Sequence, residues 1–281
     1  NVAQVPLAQD EYLLRSVNVD GTVNLLAASA ASGVGKVVHT SSSAVFGVPK
    51  ANPVLPTTVP SPMEAYGHAK LAAEWACLVA ARQGLDVSIV RPRTILGHGR
   101  LGIFGILFDW IADGHDPIVL GDGSNRYQFV HSDDLADVCL LAAEVDSPGV
   151  FNVGTDRFGT MRETLDALCA HAGTGSQVRS LPVGPASLAM SLTAKLGLAP
   201  FAPYHWMMYS KSMWFDLEHL ETQLGWTPQW STDDMFGQSY DWFLGNRAAT
   251  TDANASHHRR TSKQGVLGLV KRMSSVLPAA R

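Results

Sequence analysis

The chain has 281 residues, 46% hydrophobic and 16% charged, enough apolar matter for one large or two small domains with a real core. A net charge of −4 makes no case for a nucleic-acid partner. Its three scattered cysteines, Cys77, Cys139 and Cys169, form neither a disulfide framework nor a zinc spacing, which points to a reducing cytoplasm and no bound metal.

Residues 11–31 read as a helix, with Leu13, Leu14, Val17, Val23 and Leu26 among its apolar positions and an alanine-rich end stopped by Gly33 and Gly35. Val37-Val38-His39-Thr40-Ser41 is a β-branched run that reads as a buried strand, followed by Ser42 and Ser43. Five prolines between Gly47 and Pro62 make a loop. Residues 66–83 form the next helix, closed by Gly84, and Val87-Ser88-Ile89-Val90 the next buried strand, ended by Arg91-Pro92. Helix, strand, helix, strand, with continuously apolar strands, implies a parallel α/β sheet. Ligands of such sheets gather at the carboxyl ends of strands, where Ser42 and Pro92-Arg93-Thr94 fall.

Beyond Arg93 the pattern is mixed. Gly97, Gly99 and Gly102 make a loop, residues 103–112 an apolar helix, and residues 117–120 and 127–131 short strands. A helix over 133–144, a core strand over 150–153 and a helix over 161–172 follow. A short strand near 178–181 and helices over 186–196, 217–224 and 233–244 complete the ordered part. The apolar run 185–203 is broken by Lys195, Gly197 and Pro200 and is too short to span a bilayer, which takes about 20 apolar residues. Residues 248–264 are polar and read as disordered. In 265–277, Val266, Leu269, Val270, Met273 and Leu277 share a helical face beside Lys271 and Arg272. That basic amphipathic pattern suits weak contact with an anionic membrane surface, or docking on the protein itself or a partner.

The chemistry centres on Tyr66-Gly67-His68-Ala69-Lys70. A tyrosine and a lysine four apart share one helix face. An ammonium near a phenol favours its ionised form, and a phenolate tuned toward neutral pH is a usable general base. No Gly-x-Ser-x-Gly and no His-Glu-x-x-His is present, so serine-hydrolase and zinc-protease readings find no support.

The motifs around this pair come in an order that resembles the extended short-chain dehydrogenase/reductase family, which includes NAD-dependent sugar epimerases and dehydratases and 3β-hydroxysteroid dehydrogenase relatives. The matching stretches are Asn18-Val19-Asp20-Gly21-Thr22-Val23-Asn24-Leu25-Leu26 and Val38-His39-Thr40-Ser41-Ser42-Ser43-Ala44-Val45-Phe46-Gly47. After the Tyr66 motif come Arg91-Pro92 with Ile95-Leu96-Gly97, and Phe129-Val130-His131-Ser132-Asp133-Asp134-Leu135-Ala136. Phe151-Asn152-Val153-Gly154 and Leu224-Gly225-Trp226-Thr227-Pro228 complete the set.

The resemblance implies that Tyr66 is the general acid/base, that Lys70 holds the nicotinamide ribose and depresses the tyrosine pKa, and that Ser42 holds the substrate oxygen, with Ser41 and Ser43 as rivals. Thr40, Ser41, Pro92, Arg93 and Thr94 would line NAD or NADP; Ser43, Arg93 and Arg126 would meet substrate. Asn18 would either fix its helix against the active-site strand or be purely structural, and His131 and Asp134 would be structural. The implied fold is a partial Rossmann-type parallel sheet with helices on both faces, lacking its first strands, plus a smaller mixed α/β substrate-binding region. Residues 1–155 would be an incomplete dinucleotide-binding domain, with 97–128 partly substrate region, 156–247 mainly substrate-binding, and 248–281 a basic tail. A homodimer would pair the helices flanking the catalytic strand.

Three departures qualify this. The family's glycine-rich phosphate turn has no counterpart before Asn18, so the chain is expected to be an N-terminally truncated product that binds NAD poorly by itself. Thr94 stands where UDP-galactose epimerases place an asparagine. Arg126 is one residue away from the position of their phosphate-binding arginine, which in a strand turns it to the other face. The expected function is an NAD(P)-dependent oxidoreductase or epimerase acting on a hydroxyl or carbonyl of a sugar-like or steroid-like molecule. A non-catalytic dinucleotide-binding module is the alternative. Ser43-Ala44, in place of an acidic pair, lowers the dehydratase option.

Overall fold

A computed structural model of the chain describes residues 10–195 and 208–250. The chain runs through α1 (Glu11–Arg15), a π-helical turn (Ser16–Asp20), α2 (Gly21–Ala31), β1 (Lys36–Thr40), a 3-10 turn (Ser43–Phe46), α3 (Ala65–Arg82), β2 (Asp86–Pro92) and β3 (Thr94–Leu96). It continues through α4 (Phe104–Ala112), β4 (Ile118–Leu120), β5 (Phe129–His131), α5 (Ser132–Glu144), β6 (Val150–Val153), α6 (Met161–Ala172), β7 (Arg179–Leu181), α7 (Val183–Lys195), α8 (Glu218–Leu224) and α9 (Thr232–Thr250).

These elements form two units. The first holds the described residues up to Thr94, with Asp133–Asp156 and Met213–Gln229. Its sheet is parallel throughout, in the order β1-β2-β6. Residues alternate between the two faces of a strand, so the register sorts them. Val37 lies opposite Val87 and His39 opposite Ile89. On that face Val37, Val87 and Ile89 pack against Leu26 of α2 and Cys77 of α3. Ala73, Ala76 and Ala80 keep the α3 surface small, which lets the helix lie close to the strands. Each fully buried Val, Leu or Ile contributes roughly 1.5–3 kcal/mol. On the opposite face Phe151, the register partner of Val90, stacks on His219 of α8 with ring centroids 5.9 Å apart. Helices thus cover both faces, as the α/β reading requires.

The helix expected over 11–31 is interrupted. Asn18, 1% exposed, turns its amide back to donate to the Leu14 carbonyl at 3.0 Å, and Thr22 Oγ1 donates to the Asn18 carbonyl at 2.7 Å. Such side-chain bonds compete with the regular ladder and accompany the π turn between α1 and α2. The serine segment also coils into a 3-10 turn, and Thr94–Leu96, to which no element was assigned from the sequence, forms a strand.

The second unit comprises Ile95–Ser132 and the described residues from Arg157 to Ser212 and from Trp230 on. Its core is aromatic. Phe236 of α9 meets Phe129, Phe104 and Phe108 edge-to-face at 5.0, 5.3 and 6.3 Å, arrangements that add about 0.5–1.5 kcal/mol per pair beyond area burial. Two small strand pairs, β3–β5 and the parallel β4–β7, flank it. A capping box between Thr160 and Glu163 starts α6. Among the described residues no helix is long and apolar enough to cross a membrane. The expectation for 265–277 lies outside the described residues.

Candidate active site

The site is built where β1 ends. Ser41 donates its N–H to the Val90 carbonyl at 2.7 Å, so the strand pairing runs one residue past Thr40. Ser42 then caps the 3-10 turn, its hydroxyl accepting the Ala44 N–H at 3.1 Å. Ser41 and Ser43 are buried and Ser42 is half-buried. Among the described residues the Ser41 Oγ has no hydrogen-bond partner.

The start of α3 is placed against this turn. Glu64 caps the helix, accepting the Tyr66 N–H at 2.8 Å and the Gly67 N–H at 2.6 Å. Gly67 is there because nothing larger fits: a Cβ would stand 2.6 Å from the Ala44 carbonyl oxygen. Tyr66 is half-buried in the first turn, and Lys70 follows one turn later.

Lys70 is 2% exposed, and its Nζ donates to the Thr40 carbonyl at 2.6 Å. The lysine therefore reaches the carboxyl end of β1. Burial pulls its pKa from 10.5 to about 8, against the opposing pull of Glu74 and Cys77. The same environment, burial first and Lys70 second, holds His39 at about 3. His39 is accordingly neutral at pH 7, and Lys70 remains mostly an ammonium. A fixed cation in a poorly hydrated setting favours the ionised form of a nearby phenol.

The remaining expected residues divide between the units. Pro92, Arg93 and Thr94 close β2 and begin β3 in the first unit, with the Arg93 N–H on the Val153 carbonyl at 2.8 Å. The Arg93 side chain is 1% exposed and packs inward, Nη1 3.1 Å from Met213 Sδ and the guanidinium over the Phe215 ring. Arg126 belongs to the second unit, exposed, with its guanidinium 4.8 Å from the Phe158 ring centroid. Asp134 accepts the Gln229 N–H at 3.1 Å, and His131 pairs with Gln238 at 2.6 Å while stacking on Trp230.

Sequence reasoning missed one feature. Glu74 of α3 and Arg91 of β2 form a buried two-pronged ion pair, with Nε to Oε1 at 2.9 Å and Nη2 to Oε2 at 2.6 Å. The signal was in α3: Lys70 and Glu74 share the helix face that buries Ala73 and Cys77. Two charges on an apolar face demand partners. Among the described residues no cluster of side chains could hold a metal ion.

Residues 4–154 match the model of the NAD dependent epimerase/dehydratase family. The chain is 49% identical over 279 residues to the protein y4nG of Sinorhizobium fredii, spanning 99% of this chain and 70% of that protein. It is 34% identical over 166 residues to the UDP-glucose 4-epimerase of Mycolicibacterium smegmatis, covering 56% of this chain and 53% of the enzyme, so that match spans about half the enzyme's length. The crystal structure of UDP-glucuronic acid 4-epimerase from Bacillus cereus in complex with NAD superposes with a TM-score of 0.69 at 22% identity, covering 85% of this chain and 71% of that one. That likeness is one of fold, a Rossmann-type α/β architecture. The chain belongs to the NAD dependent epimerase/dehydratase family.

Proposed function

We propose that this chain carries the catalytic residues of an NAD(P)-dependent epimerase or oxidoreductase that acts on a hydroxyl of a sugar-like small molecule. The observation that carries the reading is the placement of Lys70. Its ammonium is buried on the Thr40 carbonyl at the carboxyl end of β1, one helical turn from Tyr66, in the same unit as Ser42.

The residues fit the nicotinamide-ribose end of a dinucleotide. Lys70 has N–H groups beyond the one given to Thr40, and the buried Ser41 Oγ lacks a partner among the described residues; both suit a ribose diol. Lys70, Thr40 and Ser41 would hold that ribose, and the backbone of Pro92, Arg93 and Thr94 would present polar groups beside the ring. When bound, NAD or NADP supplies the hydride acceptor. Tyr66 takes the proton from the substrate hydroxyl and returns it. Ser42, the least buried of the three serines, holds the substrate oxygen, with Ser43 behind it. Lys70 favours the phenolate of Tyr66.

The M. smegmatis relative named for UDP-glucose epimerisation favours a nucleotide sugar. Thr94 and the displaced Arg126 leave room for a different sugar-like or steroid-like substrate. The exposed apolar stripe on α3, Trp75, Leu78 and Val79, together with Val23 on α2, supports a homodimer through these helices.

The test is a panel of UDP-hexoses, UDP-pentoses and UDP-uronic acids incubated with the full-length gene product and NAD or NADP. The expected result is a cofactor-dependent 4-epimer or ketone from at least one of them. Dinucleotide binding without turnover on any sugar, steroid or flavonoid alcohol would instead favour a non-catalytic binding module.

A further inference from the structure

Lys70 and Glu74 stand one turn apart on the buried face of α3. Opposite charges so spaced attract, and more strongly away from water. Yet Lys70 bonds the Thr40 carbonyl, and Glu74 gives both its oxygens to Arg91. Among the described residues Arg91 is the ion-pair partner of Glu74. Arg91 is itself fixed by other elements. It sits in β2 opposite Asn152 of β6, with its guanidinium 5.1 Å from the centroid of the Phe46 ring.

We propose that Arg91 is a positioning residue for Lys70: by occupying both carboxylate oxygens of Glu74, it keeps that carboxylate from capturing the Lys70 ammonium and leaves Nζ at the end of β1. The proposal rests on the role given to Lys70 above. The planar fork of arginine suits the task, because it saturates a carboxylate in one fixed geometry. The other groups that bear on Lys70 are Tyr66 and Cys77 from α3, and His39 and the Thr40 carbonyl from β1. Cys77, pushed up to about 12, and His39, pushed down to about 3, are neutral at pH 7. The Glu74–Arg91 pair is therefore the charged neighbour that decides where Lys70 points. A pair serving only to fasten α3 to β2 would, when broken, leave Nζ on the Thr40 carbonyl and move the Lys70 midpoint only by the smaller amount that loss of the arginine charge brings.

The experiment is a pH titration of the lysine 13Cε resonances in the 281-residue chain, with Lys70 assigned by the signal lost in Lys70→Gln. It needs neither cofactor nor substrate, so its outcome is independent of whether the proposed reaction is found. In the wild type Lys70 is expected to titrate at about 8. In Arg91→Met the freed carboxylate captures the ammonium, and the midpoint rises by about one unit or more, the effect of an opposite charge at close range. In Arg91→Met/Glu74→Gln no carboxylate remains, and the midpoint returns to the wild-type value or below. Should Arg91→Met not fold, Arg91→Lys, which keeps the charge and loses the fork, is expected to give a smaller rise. An unchanged Lys70 in the folded single variants overturns the proposal. So does an equal rise in the single and double variants, which would mean that the site had simply become hydrated.

Discussion

Burial of Lys70 makes a quantitative prediction about stability. Folding lowers the pKa of this group from an ordinary 10.5 to about 8. Between those values the unfolded chain keeps a proton that the folded chain has released, so stability rises with pH across this window and is flat below it. The whole effect is the shift of 10.5 − 8 at about 1.4 kcal/mol per unit, or about 3 kcal/mol. About 2 kcal/mol of it falls between about pH 7 and about pH 9.5. Replacing Lys70 by Met removes the titrating group and also the bond to the Thr40 carbonyl, a pH-independent loss of about 1 kcal/mol. Urea unfolding of wild type and Lys70→Met, followed by tryptophan fluorescence at several pH values, isolates the titrating part. The wild-type stability minus that of the variant is expected to grow by about 2 kcal/mol from about pH 7 to about pH 9.5. A flat difference would refute the reasoning, because it would mean that Lys70 titrates alike in both states. A falling difference would mean an ammonium held by a carboxylate, contrary to the bond observed with Thr40. Lys70→Gln serves as a second reference with different packing.

Two further predictions concern how the site is held and assembled. Gly67→Ala places a methyl group 2.6 Å from the Ala44 carbonyl; a loss of about 1–3 kcal/mol in thermal or urea unfolding is expected, with reduced turnover because Tyr66 is displaced, whereas His68→Ala, at an exposed neighbour, should change neither. Trp75→Glu in the exposed stripe of α3 is expected to convert a homodimer to monomer in analytical ultracentrifugation, and a wild type that sediments as a monomer at all concentrations would remove the dimer proposal.

Much of the first unit was legible in the sequence because its signals are local. The β-branched run around Val87 marks a strand buried on both faces, and the run around Val37 a strand buried on one face, with Lys36, Val38 and Thr40 half-buried on the other. The alanines of α3 and the glycine after it bound a helix that the structure places at Ala65–Arg82. The Tyr66–Lys70 spacing needs only helical geometry. What could not be read depends on partners distant in sequence. Glu74 and Arg91 are 17 residues apart, and nothing near either one identifies the other. Arg93, an expected cofactor and substrate contact, faces Met213 and Phe215, which return to the first unit 120 residues later. The π turn at Ser16–Asp20 spans only five residues, too few apolar positions for its shift in periodicity to register in the sequence. Thr94–Leu96 is too short for alternation to register as a strand.

The central claim is that Tyr66 is the acid/base of the reaction. It is tested most directly by comparing Tyr66→Phe with the wild type in the full-length gene product, on whichever nucleotide sugar or related alcohol is turned over, with folding and dinucleotide binding measured in parallel. Loss of a general acid/base is expected to lower kcat by roughly 10²–10⁴-fold while folding and dinucleotide binding persist. Wild-type turnover by Tyr66→Phe would contradict the account.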